Sequence, residues 1–336
     1  MGRLVTPEVW DTLVGAPAAH GLVRTRVAPE GPIDIFVAVE KPSATRILLF
    51  GLADDAQARS IDVPQATGIE VRALPAAGEA GWGFAEVRLV DARYVEVFTS
   101  LADDLVEHVG RAVDGRAAIE RLADRLRRWE AFLKVVDPDG LGQERRAGLY
   151  GELHVLRGHL LLINKEMAVT TWVGPEGAHQ DFQGSAWALE VKTSRTKQPV
   201  SVRISGERQL DDLGLRFLGL AHIGLEQRRN SGETLPEIIA SVRAMLADTA
   251  VAESFEAQLL SAGYLAIHEP RYINDGYVVR FDELFEVRDG FPRITERDLV
   301  DGVGDVAYSV AVSALGDFRT GWTRLANVAA HIDGND

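Results

Sequence analysis

The residues best suited to chemistry lie in the segment 187–192, which carries an acid and a lysine two positions apart. Alternate residues of a β-strand point to opposite faces, so Glu190 and Lys192 share one face while apolar residues occupy the other. Two further acids precede this segment, namely Asp181 and, on a predicted helix, Glu152. An acid on a helix, an acid on one strand and Glu-x-Lys on the next form the set that metal-assisted phosphodiester cleavage requires.

The spacing of these acids predicts a metal site. Asp181 and Glu190 lie on adjacent predicted strands, and their carboxylates would repel each other unless a divalent cation lay between them. Carboxylate oxygens with open positions for water and phosphate suit Mg²⁺ or Mn²⁺. The main-chain carbonyl of Val191 is a further candidate ligand. Lys192 would then orient or deprotonate the attacking water and offset charge on the phosphorus centre.

The Glu-x-Lys pair alone carries little weight, because a chain with 50 acids in 336 residues produces such pairs by chance. Its plain structural interpretation is a surface ion pair, which contributes at most ~1 kcal/mol. Lysine is scarce, however, since 5 lysines stand against 31 arginines. A lysine in phase with an acid and downstream of Asp181 therefore favours the functional interpretation of the whole set.

Hydrophobic periodicity assigns these residues to elements. Residues 145–163 repeat apolar positions at helical spacing, with Glu152 at the margin of the apolar stripe. Alternating or short apolar runs then predict strands at 168–173, around Asp181, at 187–192 and at 199–204. His154 and His159 are five residues apart on the helix, off the i, i+4 spacing of a metal-binding pair, so we interpret them as structural.

The rest of the chain divides into two parts. Residues 1 to about 100 are mostly β in pattern, with strands expected at 33–40, 46–50, 83–90 and 94–98. From residue 100 to 135 the period becomes helical. These patterns predict a β-rich N-terminal domain over 1–110, suited to target or partner recognition. A second domain is predicted over 111–336, ending in β-rich additions.

Composition limits the classes of function. The chain has no cysteine, which excludes disulfide frameworks, zinc ribbons and thiol catalysis and fits a reducing cytoplasm. The N-terminus lacks the apolar core of a signal peptide, and no apolar run approaches the ~20 residues of a membrane span. We therefore expect a cytoplasmic protein with no membrane contact. The net charge of -14 argues against nucleic-acid binding over the whole surface, but residues 192–229 hold eight basic groups against four acidic ones.

The stretches that carry a family resemblance are 148–153, 181–192, 205–210 and 291–294. The order of helix-borne acid, strand, Asp181, strand, Glu190-x-Lys192 and a basic strand and helix resembles the PD-(D/E)XK nuclease superfamily. It looks most like uncharacterised bacterial members that sit beside restriction and phage-defence genes. The resemblance implies an α+β protein with a restriction-endonuclease-like αβββαβ core. It also implies that Asp181 and Glu190 bind the metal, that Lys192 is the catalytic lysine and that Glu152 is an accessory acid. Gln180 stands where the superfamily motif has proline.

The resemblance further implies Mg²⁺- or Mn²⁺-dependent hydrolysis of DNA by an endonuclease of a restriction or phage-defence system. Polar and basic residues beside the site are then the expected DNA contacts: Ser194, Arg195, Lys197, Arg203, Arg208 and Gln209. Other defence proteins and a second copy of the chain are further candidate partners. Two alternatives stay open. One is a non-catalytic nuclease-fold subunit that binds DNA or scaffolds a defence complex, which the acidic net charge favours. The other is a metabolic protein whose acids are surface groups.

Overall fold

The computed structural model describes residues 5–53, 68–74, 83–135, 137–195, 201–247 and 249–332. The chain forms two compact units, Met1–Gly140 and Leu141–Asp336. Both units combine helices with β-strands, which is consistent with the expected α+β class. None of the described helices combines the length and the apolar character that crossing a bilayer needs.

An antiparallel sheet is the basis of the first unit. Its strands are β1 (Gly21–Val27), β2 (Ile35–Lys41), β3 (Thr45–Leu52), β4 (Ile69–Leu74) and β5 (Gly83–Leu89). They are arranged in the order β1-β2-β3-β5-β4. The described helices of this unit are α1 (Pro7–Gly15), α2 (Val95–Gly110) and α3 (Gly115–Val135). The strands predicted at 33–40, 46–50 and 83–90 correspond to β2, β3 and β5.

The strand predicted at 94–98 is wrong, because most of these residues begin helix α2. Asp91 caps the turn before the helix by accepting a hydrogen bond from the Arg93 N–H at 3.0 Å. Val97 and Leu101 are buried at a spacing of four, which is the period of a helix with one covered face. The run of alternating apolar residues covers only five positions, which is too short to distinguish the period of a strand from that of a helix.

Helices α2 and α3 belong to the first unit. Trp129 of α3 donates a hydrogen bond to Asp104 of α2 at 2.8 Å. Arg46 of β3 donates one to Thr99 of α2 at 2.7 Å. The unit therefore extends to Gly140, later in the chain than the boundary that sequence patterns place at residue 110. The recognition role of the N-terminal part stays a prediction.

The second unit contains a mixed sheet. Its strands are β6 (Phe182–Gln183), β7 (Trp187–Ser194), β9 (Phe217–Arg229), β10 (Glu233–Thr234), β11 (Asp275–Glu286) and β13 (Arg319–Thr320). The order is β10-β11-β9-β7-β6, with β13 on β11. Strands β7 and β9 run parallel, and the other pairs of this sheet are antiparallel. Strands β8 (Ser201–Ile204) and β12 (Tyr308–Ala311) pair with each other.

Helices cover one face of this sheet. They are α4 (Gln143–Val155), α5 (Lys165–Thr170), α6 (Leu235–Leu246), α7 (Ala252–Ser261) and α8 (Trp322–Ile332). A π-helical turn, Leu156–Leu160, continues α4. The helix predicted over 145–163 thus consists of an α-helix and a π turn.

The sheet separates two apolar cores. Leu189 and Val191 of β7 pack in the larger core with residues of α4 and α6, whereas Ala188 packs in a smaller core with residues of β8 and β12. The first nine residues of β9 are buried, as expected of a central strand covered on both faces. Burial on both sides fixes the register of β7, because a slip by one residue would exchange its two faces.

Residues 168–173 are not the predicted strand, because helix α5 extends through Thr170. Asn164 caps this helix by accepting a hydrogen bond from the Met167 N–H at 3.0 Å. The residues at 169–171 are all β-branched, and this composition is why the run resembles a strand. The αβββαβ order of the core stays a prediction.

Candidate active site

Strand β7 carries the Glu-x-Lys pair between β6 and β9. Glu190 keeps 2% of its side-chain surface exposed and Lys192 keeps 18%. The pair therefore lies inside the protein, which removes its interpretation as a surface ion pair. A buried acid and a partly buried lysine need a compensating environment, since desolvation of each charge is costly.

Asp181 lies directly before β6, and the pairing of β6 with β7 brings it beside the Glu-x-Lys pair. Its Oδ2 atom accepts a hydrogen bond from the Val191 N–H at 2.7 Å. The main-chain amide between Glu190 and Lys192 thus holds the Asp181 carboxylate in place. The role of the Val191 carbonyl as a metal ligand stays a prediction.

Gly174 allows the chain to pass close to Asp181. The Gly174 N–H donates to the Asp181 carbonyl at 2.9 Å. A Cβ atom added at position 174 would lie 2.8 Å from Asp181 Oδ1, which is closer than such atoms approach. Any side chain at this position would therefore displace the carboxylate.

Glu190 combines an ion pair with an oxygen that has no partner. Its Oε1 atom lies 2.5 Å from Lys192 Nζ. Its Oε2 atom is buried, and no hydrogen bond from the described residues reaches it. A buried acceptor without a partner costs about 1–3 kcal/mol, and more when it is charged. This atom marks a position that a cation would satisfy.

Gln209 holds the other side of Lys192. Lys192 Nζ donates to Gln209 Oε1 at 3.2 Å. The same oxygen accepts a hydrogen bond from the Ser205 N–H at 2.8 Å. The ammonium group is therefore fixed between a carboxylate and an amide oxygen.

Glu152 reaches this region from helix α4. Trp172 Nε1 donates to Glu152 Oε2 at 2.8 Å, which orients the carboxyl group. Burial raises the pKa of Glu152, and the nearby charge of Asp181 raises it further. The structure thus brings Glu152 and Asp181 together with the Glu-x-Lys pair.

All three carboxyl groups of this site have raised pKa values. Burial raises the pKa of Glu152 to about 8, and repulsion from Asp181 adds to this rise. Burial raises the pKa of Asp181 to about 6, against the lowering effects of the Val191 N–H and Lys192. Burial and repulsion from Asp181 raise the pKa of Glu190 well above its usual range. Such a cluster holds protons near neutral pH unless a cation replaces them, so its chemistry fits a divalent metal ion.

Three of the predicted DNA contacts are exposed arginines. Arg195 donates a hydrogen bond to Gln227 at 3.2 Å, and Arg208 pairs with Glu296 at 2.5 Å. Arg203 is exposed on β8. Lys197 lies outside the described residues. DNA contact by these side chains stays a prediction.

The two remaining predicted contacts are engaged within the protein. Ser194 Oγ lies 2.9 Å from His222 Nε2. Gln209 holds Lys192, as described above. These partners give both side chains a local structural role beside the Glu-x-Lys pair.

His222 is a neighbour of the site that the sequence did not indicate. It lies opposite Lys192 in the register of β7 and β9, with 1% of its side chain exposed. Burial lowers the pKa of His222, although Glu283, 3.6 Å from its Nδ1 atom, raises it. The net lowering favours the neutral imidazole. A histidine inside the apolar run 217–225 was the signal that could have identified it.

Comparison with known proteins adds one family. No curated protein and no solved structure matches the chain. A family model matches residues 6–313, and its description is "Putative PD-(D/E)XK family member, (DUF4420)". The match extends through most of the chain and contains all of the acids and the lysine described above. It confirms the resemblance drawn from those residues, and it suggests a nuclease-like function of a class that typically uses divalent metals. The chain belongs to the DUF4420 family of PD-(D/E)XK-like proteins.

Proposed function

We propose that this chain is a Mg²⁺- or Mn²⁺-dependent endonuclease that hydrolyses DNA phosphodiester bonds in the cytoplasm, as part of a bacterial restriction or phage-defence system. The observation that carries the proposal is the group of three acids beside Lys192, in which Glu190 is buried and Glu152 and Asp181 are partly buried. One Glu190 oxygen has no hydrogen bond from the described residues. Crowded acids with little access to solvent are unfavourable in a protein that binds no cation. The family description supports the nuclease class.

Asp181 and Glu190 would hold the ion, with the Val191 carbonyl as a third ligand. A bound divalent ion supplies Lewis-acid stabilisation of negative charge on the phosphate. Lys192 has a fixed position between Glu190 and Gln209. From there its ammonium group can orient a water molecule and offset charge that develops at the phosphate.

Glu152 would act as an accessory acid. Its pKa is raised to about 8 in the absence of metal, so this carboxyl group holds a proton that a bound ion would displace. Trp172 keeps the carboxyl group oriented by donating to one of its oxygens. Glu152 would take part in the reaction through this proton and would not bind the metal ion itself.

The exposed arginines 195, 203 and 208 would contact the DNA backbone, because guanidinium groups pair well with phosphate. The first unit would select the target or a partner protein of the same defence system. A second copy of the chain would supply a second active site for cutting the opposite strand.

A cleavage assay on the full chain tests the proposal. Plasmid and phage DNA, modified and unmodified, should be nicked or cut with Mg²⁺ or Mn²⁺ and should remain intact with EDTA. Asp181→Ala purified in the same way is the control for contaminating nucleases, and it should cleave none of these DNAs. Persistent cleavage in EDTA, or no cleavage of any of these DNAs by protein that is saturated with Mg²⁺, contradicts the proposal.

The second candidate is a non-catalytic nuclease-fold subunit that binds DNA or scaffolds a defence complex. The net charge of -14 favours it, because strong general attraction for phosphate is absent. DNA binding measured by fluorescence anisotropy distinguishes the two. Binding that is independent of metal and unchanged in Asp181→Ala, without cleavage, supports the subunit.

We expect Gly174→Ala to weaken Mg²⁺ binding about tenfold, which corresponds to about 1.4 kcal/mol. The new methyl group would lie 2.8 Å from Asp181 Oδ1 and would push the carboxylate from its position. Isothermal titration calorimetry measures the affinity. Gly148→Ala is the matched control, since a Cβ atom at Gly148 meets nothing within 4 Å. Equal affinities in the two variants would contradict the role of Asp181 as a ligand.

Mg²⁺ affinity should increase between pH 6 and pH 8. The pKa values of about 6 for Asp181 and about 8 for Glu152 mean that protons occupy this cluster when metal is absent. A metal ion must displace such protons, so its affinity rises about tenfold per pH unit for each proton released. Calorimetry in two buffers of different ionisation enthalpy counts the protons, and a flat affinity over this range would refute the electrostatic account.

A further inference from the structure

Two histidines and an aspartate meet on the opposite face of the sheet from Lys192. The Nε2 atoms of His154 and His159 lie 2.9 Å and 2.8 Å from Asp282 Oδ2. Asp282 pairs with Ile223 in β9, whereas Lys192 pairs with the preceding residue, His222. Because successive residues of a strand point to opposite faces, this cluster is separate from the Glu-x-Lys pair.

The π-helical turn explains why histidines five residues apart can meet. In an α-helix, residues at i and i+5 lie about 140° apart around the axis. Here the Leu161 N–H donates to the Leu156 carbonyl at 2.9 Å, which is an i→i+5 hydrogen bond. The wider turn brings His154 and His159 to one side. π turns are rare and are frequent at functional sites. The assignment of this pair to a structural role assumed a regular α-helix, and that assumption is wrong.

Trp322 of α8 orients the cluster. Its Nε1 atom donates to Asp282 Oδ1 at 2.9 Å, which leaves Oδ2 directed at the two histidines. The indole stacks on the His159 ring, with ring centroids 3.7 Å apart. Hydrogen bonds and packing that hold ligand side chains in this way typically surround metal sites. The side chains of His154, His159 and Asp282 are 19%, 22% and 23% exposed, so an ion in solution can reach them.

We propose that His154, His159 and Asp282 form a second metal site, selective for a borderline divalent transition ion such as Zn²⁺. Two imidazole nitrogens and one carboxylate oxygen are donors that Zn²⁺ prefers, whereas Mg²⁺ prefers oxygen donors alone. The three ligand atoms lie within 4.8 Å of one another. Ligands of one tetrahedral ion with bonds of ~2.0 Å are roughly 3.3 Å apart, so each histidine nitrogen would move away from Asp282 Oδ2 by about 0.5 Å to admit the ion.

The bound ion has a structural role in this proposal. His154 lies in the last turn of helix α4, His159 lies in the π turn and Asp282 belongs to β11, so a shared ion links the end of the helix to the sheet. The same helix carries Glu152. The ion would therefore hold the helix that supplies the accessory acid, without taking part in cleavage.

The test measures Zn²⁺ binding by the metal-free full chain in the Asp181→Ala background, with Mg²⁺ in excess. We expect one equivalent of Zn²⁺ by calorimetry and elemental analysis. Co²⁺ bound in its place should give visible absorption bands typical of nitrogen and oxygen ligands. His159→Asn and Asp282→Asn should each weaken binding at least about a hundredfold. His20→Asn removes an exposed histidine of the first unit and is the matched control.

The change in melting temperature caused by Zn²⁺ tests the site even in a variant that is less stable than the wild type. At free Zn²⁺ about one hundred times the dissociation constant, the chain should melt roughly 5 °C higher than in chelator. His159→Asn should gain nothing from Zn²⁺, whatever its melting temperature in chelator. A chain that binds no Zn²⁺, or a stoichiometry and Co²⁺ spectrum unchanged in His159→Asn and Asp282→Asn, overturns the proposal and leaves a hydrogen-bonded cluster only. None of these measurements depends on DNA cleavage.

Discussion

Lys192→Ala is expected to lower the rate of metal-dependent DNA cleavage by about 10²- to 10³-fold, while Mg²⁺ binding and the fold are retained. Lys192 holds its charge beside Glu190 Oε1 at 2.5 Å but supplies no ligand to a cation. Under the proposed mechanism its removal takes away charge stabilisation at the phosphate and leaves Asp181 and Glu190, the proposed metal ligands, in place. Single-turnover cleavage of plasmid DNA at saturating Mg²⁺ measures the effect on the chemical step.

Lys165→Ala is the matched control for this experiment. Lys165 belongs to the same unit, is exposed, and donates to the Met245 carbonyl at 2.6 Å. Its loss should leave the cleavage rate within about twofold, as expected of a surface substitution. If Lys192→Ala cleaves DNA as fast as Lys165→Ala, the lysine has no part in the reaction, and the mechanism proposed for the site fails.

Asp181→Asn should abolish metal-dependent cleavage and yet stabilise the metal-free protein by at least about 1 kcal/mol at pH 8. The pKa of Asp181 is raised to about 6 in the folded protein, mainly by burial, so the folded state binds this proton more tightly than the unfolded chain does. The stability that the proton provides is therefore lost as the pH rises through about 6. Asparagine stays neutral and can still accept the hydrogen bond from the Val191 N–H.

Denaturant unfolding in EDTA measures this difference. It should be largest above pH 6 and should shrink towards pH 4, where aspartate is protonated in the unfolded chain as well. Saturating Mg²⁺ should reverse the order, because only the wild type binds the ion at this position. Asp301→Asn, on an exposed turn, is the control. A variant that is less stable than the wild type in EDTA at pH 8 would show that Asp181 is an ordinary structural acid.

The strand that carries Glu190 and Lys192 could be predicted from the sequence because its signal is local. Alternation assigns every residue of β7 to a face, and two apolar cores enforce that assignment. The short distance along the chain between Asp181 and Glu190 similarly indicated neighbouring strands. These inferences needed only the two-residue period of a strand and the repulsion of two nearby acids.

The partners of the site could not be predicted, because they depend on contacts between distant segments. Trp172 orients Glu152 across 20 positions, and Gln209 reaches Lys192 across 17. Trp172 also follows the β-branched residues 169–171, whose composition led to the wrong prediction of a strand. His154 and His159 were dismissed because a single π turn changes which residues share a face, and no residue type specifies such a turn.

Arg319 and Trp322 contact both faces of the sheet in the second unit, one beside the Glu-x-Lys pair and the other at the histidine cluster. Lys192, His222 and Glu283 occupy neighbouring positions on β7, β9 and β11. Arg319 forms an ion pair with Glu283. Trp322 donates to Asp282 on the other face. The match to the family model stops at residue 313, before either of these two anchors. A protein shortened to the matched span would lack Arg319, which pairs with Glu283. It would also lack Trp322, whose indole donates a hydrogen bond to Asp282 and stacks on His159.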